Sequence, residues 1–210
     1  MPLSIPWVVK LGGSLALSAE LPLWLEALAE SPVVVVPGGS LFADAVRVAQ
    51  QHWGFADELA HAMAITAMSQ YGRMLQGLCP RLSVAGDPYS LTRLLEGGQS
   101  AVWQPDAGAM MDERIKASWD VTSDSLAAWL AEQLGAERLL LIKSTLPPGT
   151  CHIQQLVESG LVDREFPELT RGSAREIWLC GPGQHADLRA GLEHPDRFFR
   201  RVIPMSASFS

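Results

Sequence analysis

A chain of 210 residues, 48% apolar and 19% charged, is long enough for one substantial domain and apolar enough to bury a core. Its net charge of -7 excludes a nucleic-acid groove and an anionic membrane surface as partners, because both demand a concentrated basic face. Cys79, Cys151 and Cys180 lack CxxC or metal-ligand spacing and read as reduced thiols. No apolar run reaches the roughly 18 residues of a membrane span, so a soluble cytoplasmic protein is expected.

The first apolar run, IPWVVKL (5–11), predicts a strand carrying Lys10, followed by a turn of Gly12, Gly13 and Ser14. Missing side chains there let backbone N–H groups approach an anion, although a plain glycine turn is the alternative for a lone GGS. The lysine precedes the glycines, so this is not a Walker loop. After a helical pattern at 20–30, PVVVVP (32–37) predicts a second strand ending in Gly38, Gly39 and Ser40 at the head of a helix over 40–53. Free N–H groups and the helix dipole would face whatever binds there.

A long helical pattern at 56–77 follows, then strands at 81–85 and 100–104 separated by a helix at 88–96. The stretch SWDVTSD (118–124) opens a helix over 122–134 with an apolar stripe of Leu126, Trp129, Leu130 and Leu134. Asp120, Thr122 or Ser123 can cap that helix, and Asp124 suits its dipole. Capping does not account for so many polar side chains beside Trp119 and Lys116. RLLLIK (138–143) predicts a strand with Lys143 at its end, equally readable as an ordinary rim lysine. The loop-rich stretch 144–175, with a helical pattern at 152–159, is expected as a flap over the sheet edge. Strands at 176–180 and 200–204 flank a helix at 184–191, and 205–210 reads as a loose tail after one domain over 1–204.

Alternating strands and helices, several strands continuously apolar, predict a three-layer α/β/α sandwich with a mostly parallel central sheet. Ligands in such sheets sit beyond the carboxyl ends of the strands. Thirteen of the sixteen basic residues are arginine, which draws attention to Lys10, Lys116 and Lys143 as candidate positions for a compact ammonium, with chance under a biased composition as the alternative for any one of them. The five histidines show no ligand spacing, and no protein metal site is expected.

VVKLGGS, VVVVPGGS and VTSDSLAAWLA, in that order, resemble the amino acid kinase superfamily. The resemblance implies ATP-dependent phosphoryl transfer with Mg2+, Lys10 stabilising the transferred group and Asp124 orienting the lysines. It assigns Gly12, Gly13, Ser14, Ser123 and Ser144 to the nucleotide, and Gly38, Gly39, Ser40, Asp57, His61, Trp119 and Thr122 to the acceptor. A narrower resemblance, carried by FADELAHAMAITAMSQYG, SWDVTSD and GLVDREFPEL, is to the short kinases of methanofuran biosynthesis, which convert aminomethylfuranyl-methyl phosphate to its diphosphate. For that acceptor, Asp44, Asp57 and Glu58 are candidate partners of the ammonium, and Phe42, Trp53, His61 and Trp119 candidate flat walls. The acids also read as solvated helix faces, Trp53 or Trp119 as core, and His61 as a core histidine.

Two features depart from the superfamily pattern. No lysine follows Lys143, so the late phosphate-binding cation is either Lys143 itself or an arginine such as Arg171 or Arg175. STLPPGT stands where relatives have TDVDGVY. Another acceptor, an amino acid carboxylate or isoprenoid phosphate, and a non-catalytic nucleotide or oxyanion binder remain alternatives. The apolar residues of 56–77, including Leu59 and Met63, predict a homo-oligomer, as relatives often pair through this region.

Overall fold

The computed structural model describes residues 7–110 and 112–204; the tail expected at 205–210 lies outside them. Among the described residues one sheet of eight strands runs in the order β3-β4-β2-β1-β5-β7-β8-β6. The strands are β1 (Trp7–Leu11), β2 (Val33–Pro37), β3 (Ser83–Ala85), β4 (Ala101–Trp103), β5 (Arg138–Ile142), β6 (Cys151–His152), β7 (Glu176–Cys180) and β8 (Arg200–Ile203). All neighbouring pairs are parallel except β7 with β8. This is the expected three-layer, mostly parallel architecture, with one antiparallel edge pair.

β1, β2 and β5 are buried almost from end to end, since helices cover both faces. Val8, Val34, Val36, Leu139 and Leu141 point into one core with Leu126, Ala127 and Leu130 of α5 (Ser123–Gln133). Val9, Leu11, Val35, Leu140 and Ile142 point the other way, against Trp24, Leu25 and Leu28 of α1 (Leu21–Ala29) and Leu188 of α8 (Leu188–Glu193). The period of two in a strand sorts them. α5 does more than present the expected stripe: every residue from Ser123 to Ala131 is buried, and its alanines let it lie close to the sheet.

Three other helices matter here. α2 (Ser40–Trp53) starts directly from the second glycine corner and ends at Gly54, whose φ of 68° provides a left-handed C-cap. α3 (Asp57–Leu78) packs beside α2, and α4 (Pro88–Glu96) covers β3 and β4. The stretch 144–175 is not a flap. It holds β6, α6 (Ile153–Glu158) and α7 (Phe166–Thr170), and β6 pairs with β8 to complete the sheet edge. The expected helix at 184–191 is two pieces, a 3-10 turn Gln184–Asp187 and then α8, before the short α9 (Pro195–Phe198). No described helix is long and apolar enough to cross a membrane.

Candidate active site

Pairing places the chemistry. Leu11 is in register with Pro37 on β2 and with Ile142 on β5, so three strands end flush and their corners stand side by side. The ladder continues into those corners: Gly12 N–H donates to the Ile142 carbonyl at 3.0 Å, and Gly38 N–H donates to the Leu11 carbonyl at 2.9 Å. A Cβ on Gly38 would lie 2.3 Å from the Gly13 nitrogen, and one on Gly13 would lie 2.5 Å from the Ser40 nitrogen. The two GGS turns therefore touch, and only glycine permits it. Ser14 bridges to the third corner, its hydroxyl donating to Ser144 Oγ at 3.0 Å.

Lys10 follows Val8 by two residues and Lys143 follows Leu141 by two, so both side chains emerge on the face that α5 covers. Asp124, in the first turn of α5, meets them. Its Oδ1 lies 3.0 Å from Lys10 Nζ and 2.7 Å from Lys143 Nζ, and all three side chains are buried. Burial opposes ionisation of Asp124, but the two ammoniums outweigh it and hold the carboxyl below its ordinary value. Burial also pulls Lys143 down to about 8; Asp124 works against that shift, while neighbouring Lys10 adds to it.

The corners and the triad open on a cavity of about 570 Å3. Lys10, Gly12, Gly13, Ser14, Ser123, Asp124, Lys143 and Ser144 line it, as do Gly39, Ser40, His61, Trp119 and Thr122. Gly38 supports the rim through its contact with Gly13. Asp57 stays outside but is linked inward: its carboxylate accepts from Gln50 Nε2 at 2.7 Å, and Gln50 Oε1 accepts from Trp119 Nε1 at 2.6 Å. Of the other candidates Asp44 lines the cavity, whereas Glu58, Phe42 and Trp53 do not. Trp53 is 76% exposed and packs edge-on to His52.

Two residues that line this space each carry a buried polar atom with no hydrogen-bond partner in the protein. Ser40 is buried, its Oγ unpaired, and it is the one non-glycine residue described with positive φ, at 53°. Such backbone strain persists where the surroundings impose it, commonly at ligand contacts. His61 Nε2 is likewise buried and unpaired, and burial lowers the imidazole's affinity for a proton.

The remaining cations are elsewhere. Lys116 is a surface residue paired with Glu165 at 2.9 Å. Arg171 pairs with Glu168, and Arg175 Nε donates to the Ala136 carbonyl at 2.7 Å, both ahead of β7 and thus at the amino rim of the sheet. Neither reaches the cavity, which leaves Lys143 as the second ammonium there. Arg47 does reach it, and the sequence reading missed it. It lies one turn beyond Ala43 on the face of α2 that begins at Ser40, and its guanidinium stacks 4.4 Å from the Trp119 ring centre. The i, i+3, i+7 spacing after the glycine corner was the available signal.

A family model, "Amino acid kinase family", matches residues 6–145, and the chain belongs to that family. Among individual relatives, it is 28% identical over 140 residues to the [5-(aminomethyl)furan-3-yl]methyl phosphate kinase of Methanocaldococcus jannaschii. That match covers 64% of this chain and 63% of the relative, somewhat under two thirds of its length. In fold the chain is similar to the uridylate kinase of Archaeoglobus fulgidus, with a TM-score of 0.71 at 17% identity over 94% of this chain and all of that one. The UMP kinase of Bacillus anthracis gives 0.69 at 14% identity, covering 96% and 97% of the two chains.

Proposed function

We propose that the protein is an ATP-dependent kinase of a small phosphate monoester, with [5-(aminomethyl)furan-3-yl]methyl phosphate as acceptor and its diphosphate as product. The observation that carries this reading is the pair of buried ammoniums on one Asp124 oxygen, facing two abutting glycine corners. The choice of acceptor is supported by the similarity to the Methanocaldococcus jannaschii kinase.

A phosphoryl group in flight spreads negative charge over its equatorial oxygens, so catalysis rests on positioning and electrostatics. Lys10 and Lys143 supply fixed positive charge, and Asp124 keeps them in place without being consumed. An acceptor phosphate is ionised at neutral pH. Its oxygen attacks the γ-phosphorus directly, the bond to the leaving diphosphate breaks, and no protein base is needed. Gly12, Gly13, Ser14, Ser123 and Ser144 suit the nucleotide phosphates, while Gly39 and Ser40 at the head of α2 suit the acceptor phosphate. Among the described residues no cluster of acids, histidines or cysteines is fit to hold an ion, and Asp124 Oδ1 is taken by the two lysines. A Mg2+ would therefore be held by the nucleotide's own phosphates in place of protein ligands, and when bound there it would neutralise phosphate charge.

Around the acceptor, Ile65, Met68 and Trp119 offer apolar surface for a flat ring, and Asp44 offers a carboxylate for the aminomethyl cation. Leu41, Val48, Leu59 and Met63 leave apolar surface exposed along α2 and α3, which supports a homodimer through this face. A monomeric mass in solution would remove that part of the reading.

The test is Mg-ATP with a panel of acceptors, followed by phosphorus NMR. A new diphosphate from the furan phosphate, formed in preference to UMP, isopentenyl phosphate, glutamate or aspartate, is the expected result. Preference for one of the others rejects the acceptor. Nucleotide binding with no transfer to any of them rejects the kinase and leaves a binding protein.

A further inference from the structure

α5 is capped in an unusual way. Thr122 stands at its N-cap but makes no capping bond of its own; instead its hydroxyl donates outward. The acceptor is Asp163, in the turn between α6 and α7. Asp163 Oδ2 accepts from Thr122 N–H at 2.9 Å, Thr122 Oγ1 at 2.8 Å and Ser125 N–H at 3.0 Å, while Oδ1 accepts from Ser125 Oγ. A second strap runs alongside, Glu165 N–H donating to the Asp120 carbonyl at 3.1 Å. Asp124 sits between the two residues that Asp163 grips.

A cap alone does not call for a second, half-buried carboxylate beside Asp124. Burial and the charge of Asp124 both push the Asp163 carboxyl above its ordinary value, against the four donors that favour its ionised form. What the arrangement does achieve is rigidity where it matters. It locks the turn bearing Asp124 to the segment in which Ser159, Gly160 and Leu161 form another wall of the cavity.

We propose that Asp163 is a positioning residue for phosphoryl transfer: gripping Thr122 and Ser125, it fixes the Asp124 carboxylate and, through it, the ammoniums of Lys10 and Lys143. This rests on the kinase reading above. A shift of an ångström in such a group is enough to lower turnover on the order of 10²-fold.

The test compares D163A, D163N and S125A with the wild type, in turnover and in a lysine titration. The chain has three lysines, so carbon-13 at Cε gives three assignable signals. D163A is expected to lose kcat on the order of 10²-fold with acceptor KM within about threefold. In D163N the amide oxygen still accepts from Thr122 and Ser125, and its NH2 can donate to the Ser125 hydroxyl, so most of kcat returns. S125A removes one donor and loses about tenfold, which keeps the proposal open to test should D163A not fold. The Lys143 signal, titrating near 8 in the wild type, moves down by about one pH unit in D163A as its hold on Asp124 loosens. Wild-type kcat in folded D163A or S125A, or a D163N as impaired as D163A, overturns the proposal. If the wild type transfers no phosphoryl group, the kinase reading fails by itself. The titration then decides alone: an unmoved Lys143 midpoint in D163A overturns the positioning role, and a lowered one supports it.

Discussion

Lys10 on β1 and Lys143, the residue immediately after the neighbouring β5, bind the same oxygen of Asp124 at 3.0 and 2.7 Å. Two cations on one anion leave a positive excess in a buried place, a poor arrangement for stability and a good one for receiving a phosphoryl group.

That imbalance predicts opposite signs for two substitutions. D124N strands two ammoniums against each other and should lower stability by about 3 to 5 kcal/mol. K143M leaves a balanced Lys10–Asp124 pair and should be as stable as the wild type or more so, while losing about 3 kcal/mol of transition-state stabilisation, roughly 10²-fold in turnover. Thermal melts beside single-turnover rates check both; a K143M less stable than D124N would contradict the account.

The lowered proton affinity of Lys143 gives a pH signature. In the unfolded chain this lysine titrates near 10.5, in the fold near 8. Between those values the unfolded state binds more protons, so stability rises with pH through the window. Activity runs the other way, kcat/KM falling above about 8 as the ammonium is lost. K143R, whose charge persists, should be slower at neutral pH but lack that alkaline limb. Rate and melting profiles over the same buffers decide it.

Ser40 predicts a separation of stability from binding. S40G relieves the positive φ and should raise stability by about 1 kcal/mol. It also removes the unpaired hydroxyl at the cavity, so acceptor KM should rise several-fold in both S40G and S40A. An unchanged KM in both would show that the hydroxyl does not meet the acceptor.

Two glycines with different surroundings make a control pair. A methyl on Gly38 would sit 2.3 Å from backbone, whereas one on Gly77 in α3 meets nothing within 4 Å. G38A should therefore cost several kcal/mol and most of the activity, and G77A should add about 1 kcal/mol of helix stability. Denaturant midpoints give both answers.

Much of this was legible in the chain. Continuous apolar runs ending in glycine marked β1 and β2, and the scarcity of lysine drew attention to Lys10 and Lys143, but equally to Lys116, which lies on the surface paired with Glu165. What stayed hidden has physical reasons. β6 has two residues, too few to show a period, and α7 is five residues beginning beside Pro167 in a stretch that reads as loop. The helix expected at 184–191 begins after Gly183, at φ 79°, as a tighter 3-10 turn and gives way to α8 at Leu188. The crowd of polar residues at the head of α5 made sense only with Asp163, a partner 38 to 41 residues away that no local pattern reveals. Asp57 and Trp53 suited the aminomethylfuran acceptor that the resemblance implies, but they face Gln50 and solvent, respectively.

The flush ends of β1, β2 and β5 have one more consequence. Both ammoniums ride on paired backbone instead of loops, so their spacing is a property of the sheet's hydrogen-bond ladder. On the proposed kinase reading, the segments assigned to the acceptor, around α2, α3 and Trp119, are free to diverge in length and composition while the spacing of the two ammoniums stays set by the sheet, so a change of acceptor would not require rebuilding that pair.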